Sequence, residues 1–147
     1  MVSQAKLALS SVCSDGMVLQ QNTEAVIWGT SDAGAQVTVT PSWNGKGYRC
    51  KADSDGKWSV KVETPAGSYN AYSIAVKGGG ASLKISDVLV GEVWLASGQS
   101  NMEMPMRGFF NCPVENAIEY ISAPAAKEKI RMFTVPLKQS YEPLTEV

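Results

Sequence analysis

From residue 7 to about residue 85, apolar and polar residues alternate in short runs broken by turn residues, the pattern of strands with one buried face. The first apolar runs lie at 7–9, 17–19 and 25–28. Val37 and Val39 then share one face of a run whose other face carries Thr38 and Thr40. Tyr48 and Cys50 alternate with Arg49 and Lys51; Trp58, Val60 and Val62 alternate with Ser59 and Lys61; Tyr72, Ile74 and Val76 repeat the period. The alternation predicts that Val37, Val39, Trp58, Val60, Ile74 and Val76 point inward. Between runs, Asn44-Gly45 and Asp55-Gly56 supply the positive φ that tight hairpins require, so successive strands are expected to reverse rather than cross over. Six or more such strands predict an all-β antiparallel sandwich over residues 1–88.

Near Ser86 the pattern changes. Val88-Leu89-Val90 and Val93-Trp94-Leu95-Ala96 are nearly continuous apolar runs, as in strands buried on both faces. The second leads straight into Ser97-Gly98-Gln99-Ser100-Asn101. Further on, Pro113 suits the first turn of a helix, and Val114, Ala117, Ile118 and Ile121 follow helical spacing while Glu115 and Glu119 face away. Pro124 is expected to end that helix, and residues 130–135 read as another strand before Pro136. Strand, helix, strand predicts the incomplete start of a parallel α/β sheet, a second domain over residues 89–147. Two strands and one helix leave one side of such a sheet uncovered. An interdomain interface with the sandwich, self-association or high local disorder is the expected consequence.

Composition narrows the chemistry. The 147 residues are 44% hydrophobic and 18% charged, a globular balance. The 13 Lys+Arg against 14 Asp+Glu give a net charge of −1 and no basic face for nucleic acid. No apolar run is long enough to span a membrane, and the first residues lack the basic and apolar segments of a secretion signal. There is no histidine, which removes every imidazole base and every His-bearing zinc site. Cys13, Cys50 and Cys112 show no metal-ligand cadence and allow at most one internal disulfide. A Cys13–Cys50 bridge and buried thiols account for them equally well.

Function in an open α/β sheet is sought beyond the carboxyl end of a strand, where Gly98-Gln99-Ser100-Asn101 falls. A serine there can face a cleft while the backbone N–H groups of a following helical turn meet negative charge on an attacked carbonyl. The same residues also read as a helix cap, Ser100 with Glu103 forming S-x-x-E. Pro105 weighs against a long continuous helix. Trp43, Tyr48, Trp58, Tyr69 and Tyr72 read as strand packing or as a sugar-stacking platform. Glu92 and Glu103 bracket the serine turn without the paired spacing of a glycosidase. Met102, Met104 and Met106 are expected to fill apolar gaps, and Gly78-Gly79-Gly80 to form a loop.

The stretch Gly91-Glu92-Val93-Trp94-Leu95-Ala96-Ser97-Gly98-Gln99-Ser100-Asn101-Met102-Glu103 closely resembles the first motif of the sialate O-acetylesterase family, a branch of the SGNH (GDSL-like) hydrolases. Ser14-Asp15-Gly16-Met17-Val18-Leu19-Gln20 and Val26-Ile27-Trp28-Gly29 look like that family's N-terminal β-sandwich, and Ile130-Arg131-Met132-Phe133-Thr134-Val135-Pro136 is similar to its second strand. The resemblance implies a flavodoxin-like catalytic domain, with Ser100 as nucleophile and its own N–H as one oxyanion donor. It implies an O-acetylated sugar as substrate, sialic acid or a related one, no metal or cofactor, and a secreted or periplasmic home. The family's later glycine and asparagine donors and its Asp-x-x-His motif have no counterpart here. The chain thus resembles an N-terminal fragment and is expected to be inactive alone. The alternative is a non-catalytic carbohydrate-binding or interdomain-scaffolding module.

Overall fold

The computed structural model describes residues 7–123, 129–136 and 139–144. Two compact units are present, Met1–Val93 with Arg131–Val147, and Trp94–Ile130.

Strands of the first unit are β1 (Ala8–Leu9), β2 (Val18–Gln20), β3 (Glu24–Thr30), β4 (Gln36–Pro41), β5 (Tyr48–Lys51), β6 (Lys57–Glu63), β7 (Ser68–Gly78) and β8 (Ala81–Gly91). They form a three-stranded sheet in the order β1-β3-β6 and a five-stranded sheet in the order β2-β8-β7-β4-β5. Ile27, Trp58 and Val62 from the first sheet and Val37, Val39, Ile74, Val76, Ile85 and Val88 from the second make one buried cluster. The period-2 reading thus identified the inward face. Val37, Val39, Trp58, Ile74 and Val76 are buried, and Val60 packs half-buried against them. Each fully buried Val or Ile contributes about 1.5–3 kcal/mol relative to exposure.

Two expectations about strand connection need correction. The second sheet is not wholly antiparallel, because β2 runs parallel to β8, with Val18, Leu19 and Gln20 opposite Leu89, Val90 and Gly91. The connection from β2 to β8 passes through both sheets, long enough to bring two strands together in the same direction. Nor does every Asx-Gly turn close a hairpin. Asn44-Gly45 joins β4 to its antiparallel neighbour β5, whereas Asp55-Gly56 carries the chain from β5 into β6 of the other sheet. Asp53 Oδ1 accepts from the Asp55 and Lys57 N–H groups at 2.9 and 2.8 Å, which shapes that crossing. Gly78 ends β7, and Gly79-Gly80 make the tight turn into β8.

β8 contains the one left-handed residue within a strand of the first unit, Asp87 at φ 55°. Ile85 lies opposite Ile74 while Val88 lies opposite Tyr72, so β8 holds one residue more than β7 across this step. That is a bulge at Ser86-Asp87. Beyond it Val88, Leu89 and Val90 are all buried, as their uninterrupted apolar run requires, and the strand continues through residue 88 to Gly91.

The second unit contains α1 (Ser100–Glu103), β9 (Gly108–Phe109), β10 (Cys112–Pro113) and α2 (Ala117–Ser122). The expected parallel strands are not observed. Val93-Trp94-Leu95-Ala96 is extended coil with Trp94 and Leu95 87% and 93% exposed, and residues 131–136 are coil as well. An apolar run becomes a doubly buried strand only between neighbouring strands, and among the described residues none pairs with either run. The helix is shorter than its periodicity suggested. Pro113 is in β10, and left-handed Asn116 (φ 57°) delays the helix to Ala117. Ala123 is extended, as a residue before proline should be, while Pro124 itself lies outside the described residues.

Candidate active site

Ser100 is the first residue of α1 and is solvent-exposed. Gln99 at φ −115° and ψ −145° occupies the N-cap position, and its carbonyl accepts from the Met102 N–H at 2.8 Å. The capping-box reading therefore fails: Ser100 stands one position too late, and Gln99 makes no side-chain cap bond. Gly98 permits the tight approach to this turn, since a Cβ there would lie 2.9 Å from Met102 Cγ. Met104 is extended before Pro105, which limits the helix to one turn. Among the described residues the Ser100 hydroxyl has no hydrogen-bond partner, and no group of three metal-ligating side chains occurs. Met102 and Met106 are exposed and fill no gap, contrary to expectation.

Upstream of the serine turn, Glu92 is held by a pair of glutamines. Gln20 Nε2 and Gln21 Nε2 donate to its two carboxylate oxygens at 3.0 and 2.6 Å. These bonds, Gln20's first, hold the Glu92 carboxyl below the usual glutamate range. Gln20 Oε1 also accepts from the Val93 N–H at 2.9 Å. Arg131 donates from Nη1 to the Gly16 carbonyl at 2.7 Å and to the Asp87 carbonyl, and from Nη2 to Asp87 Oδ2 at 2.9 Å. Sequence reasoning gave none of these contacts, although Gln20, Glu92 and Arg131 all lie in the stretches that carry the family resemblance.

The aromatic residues separate by environment. Trp58 is sealed in the core, and Trp43 packs edge-on against Tyr72 at 5.6 Å while its indole N–H donates to the Glu63 carbonyl at 2.9 Å. That is packing rather than an open stacking surface. Cys50 is half-buried, and burial pushes its thiol upward.

No protein-family model matches the chain. Sialate O-acetylesterase of Rattus norvegicus is 35% identical over 146 residues, 94% of this chain and 26% of that protein. The Homo sapiens enzyme of the same name is 34% identical over 147 residues, again 94% of this chain and 27% of its own length. Over its matched length the chain is a homologue of the sialate O-acetylesterases. A solved carbohydrate acetylesterase from Xanthomonas citri shares 40% identity with a TM-score of 0.61, covering 67% of this chain and 22% of that one. The chain spans about a quarter of the length of the sialate O-acetylesterases it matches.

Proposed function

We propose that this chain belongs to a serine carbohydrate O-acetylesterase. Residues 1–88 would be its accessory β-sandwich, and residues 89–147 the nucleophile-bearing start of an SGNH-type α/β domain. The observation that carries the reading is Ser100, exposed at the first position of a helical turn within a chain homologous to esterases along 94% of its length. In this reaction Ser100 Oγ attacks the acetyl carbonyl and transfers its proton to a base. The tetrahedral intermediate expels the sugar hydroxyl, and water hydrolyses the acetyl-serine. The Ser100 N–H, at the start of α1 where backbone donors lack helical partners, is a candidate oxyanion donor. The 147 residues contain no histidine, so a base of the Ser-His-Asp kind is not among them. The substrate is an O-acetylated sugar, sialic acid or a close relative.

Acetate release from an O-acetylated sialic acid tests the reading. A polypeptide extended to the length of its relatives should turn over, and Ser100→Ala should abolish that activity. The 147-residue chain alone should show none, because loss of general-base assistance costs about 10²- to 10⁴-fold. Undiminished turnover in the extended Ser100→Ala variant would remove the nucleophile from the scheme.

A further inference from the structure

Parts of the chain far apart in sequence, Asp15 to Gln20, Glu92-Val93 and Arg131, meet along the second half of β8 and just past its end. A bulge leaves backbone groups outside the ladder, and here other segments take them up. Asp15 Oδ1 accepts from the Ser86 N–H at 2.6 Å, and the Gly16 N–H donates to the Ser86 carbonyl at 3.1 Å. Arg131 binds the Asp87 carbonyl and carboxylate together with the Gly16 carbonyl. At the end of β2, Gln20 uses both ends of its amide, donating to Glu92 and accepting from the Val93 N–H. The first contact grips the chain where it leaves for residues 94–130, and the Arg131 contact grips it where it returns.

We propose that Gln20 and Arg131 are positioning residues that anchor the two ends of the Ser100-bearing segment, Gln20 from β2 at the exit and Arg131 to Asp87 of β8 at the return. A single guanidinium suits the return point because its planar fork serves three acceptors at once, which a lysine ammonium cannot do with the same geometry. A glutamine suits the exit because only an amide offers a donor and an acceptor of fixed direction. Gln20 thereby fixes the backbone of Val93, and Arg131 fixes the point at which the chain returns. The catalytic meaning rests on the esterase reading, but the anchoring itself is measurable without turnover.

Amide hydrogen exchange on the 147-residue chain tests the proposal. Gln20→Leu should speed exchange at the Val93 amide by roughly fivefold, the loss of one neutral hydrogen bond. The amides of Ile27 and Val60 should not change. Gln20→Glu keeps the acceptor for the Val93 N–H, so protection should return. It also sets a carboxylate against Glu92, whose titration by NMR should move from below the usual glutamate range to above it. Arg131→Ala should speed exchange at the hydrogen-bonded amides of Gly16 and Ser86 beside its acceptors, with Arg131→Lys restoring only part of the protection. Unchanged exchange at Val93 in Gln20→Leu, or a rise shared equally by β3 and β6, overturns the proposal. So does an unmoved Glu92 titration in Gln20→Glu, a readout that survives if the leucine variant fails to fold.

Discussion

Gly56 sits at φ 77°, and a Cβ there would lie 2.3 Å from the Ser31 carbonyl oxygen. Gly45 has a similar φ of 66° but open space around it. Gly45→Ala should therefore cost only the backbone strain, about 1 kcal/mol, whereas Gly56→Ala should cost more than about 2 kcal/mol in chemical denaturation. Exposed charge behaves differently. Glu63 accepts from Lys46 Nζ at 3.0 Å and from the Tyr48 hydroxyl at 3.1 Å, and these bonds, Lys46's first, hold its carboxyl below the usual range. A lowered folded pKa contributes stability above the unfolded value and loses it as pH falls through the folded one. The stability gap between wild type and Glu63→Gln should thus shrink from about pH 7 to about pH 3, a trend that denaturation at each pH would read. The short helical turn beginning at Ser100 was legible from the residues around it, while spacing alone left nucleophile and cap open. Gln20 and Arg131 were not legible, because their partners lie 44 or more residues away and neither those contacts nor the bulge at Ser86-Asp87 leaves a periodic mark in the sequence.

The strands of the first unit were legible where one face is buried and the other is not. Ile74, fully buried opposite Ile85, shows what that face supports. Ile74→Ala should cost about 2–5 kcal/mol. Ile118 in α2 is 81% exposed, and Ile118→Ala should stay within about 0.5 kcal/mol. Equal losses at the two positions in urea titrations would show that α2 is packed in solution. Pairing partners were harder to read than strands. The Asp55-Gly56 turn carries the same residue types whether its flanking strands pair with each other or part into separate sheets, and only their non-local neighbours decide. Val93-Trp94-Leu95-Ala96 is the converse case: an apolar run fit for a doubly covered strand stays extended without strands beside it.

At the scale of the whole molecule, buried apolar contact is concentrated in the first unit. All the buried hydrophobic residues among those described fall between Cys13 and Val90. Local opening free energy follows such contact density. Hydrogen exchange should accordingly be slower in β6, β7 and β8 than across residues 94–123, and the reverse order would mean that the second unit has found cover in solution.

The parallel pairing of β2 with β8 also sets an order of events during synthesis. β2 ends at Gln20, but its partner is complete only at Gly91. At about 5–20 residues per second, the ribosome delivers that partner roughly 4–14 s later. Until then β4, β5 and β7 can assemble while the β7 edge destined for β8 remains open, and an open edge is a template for strands of other chains. Released chains that end between residues 80 and 91 should therefore be the ones that chaperones hold longest.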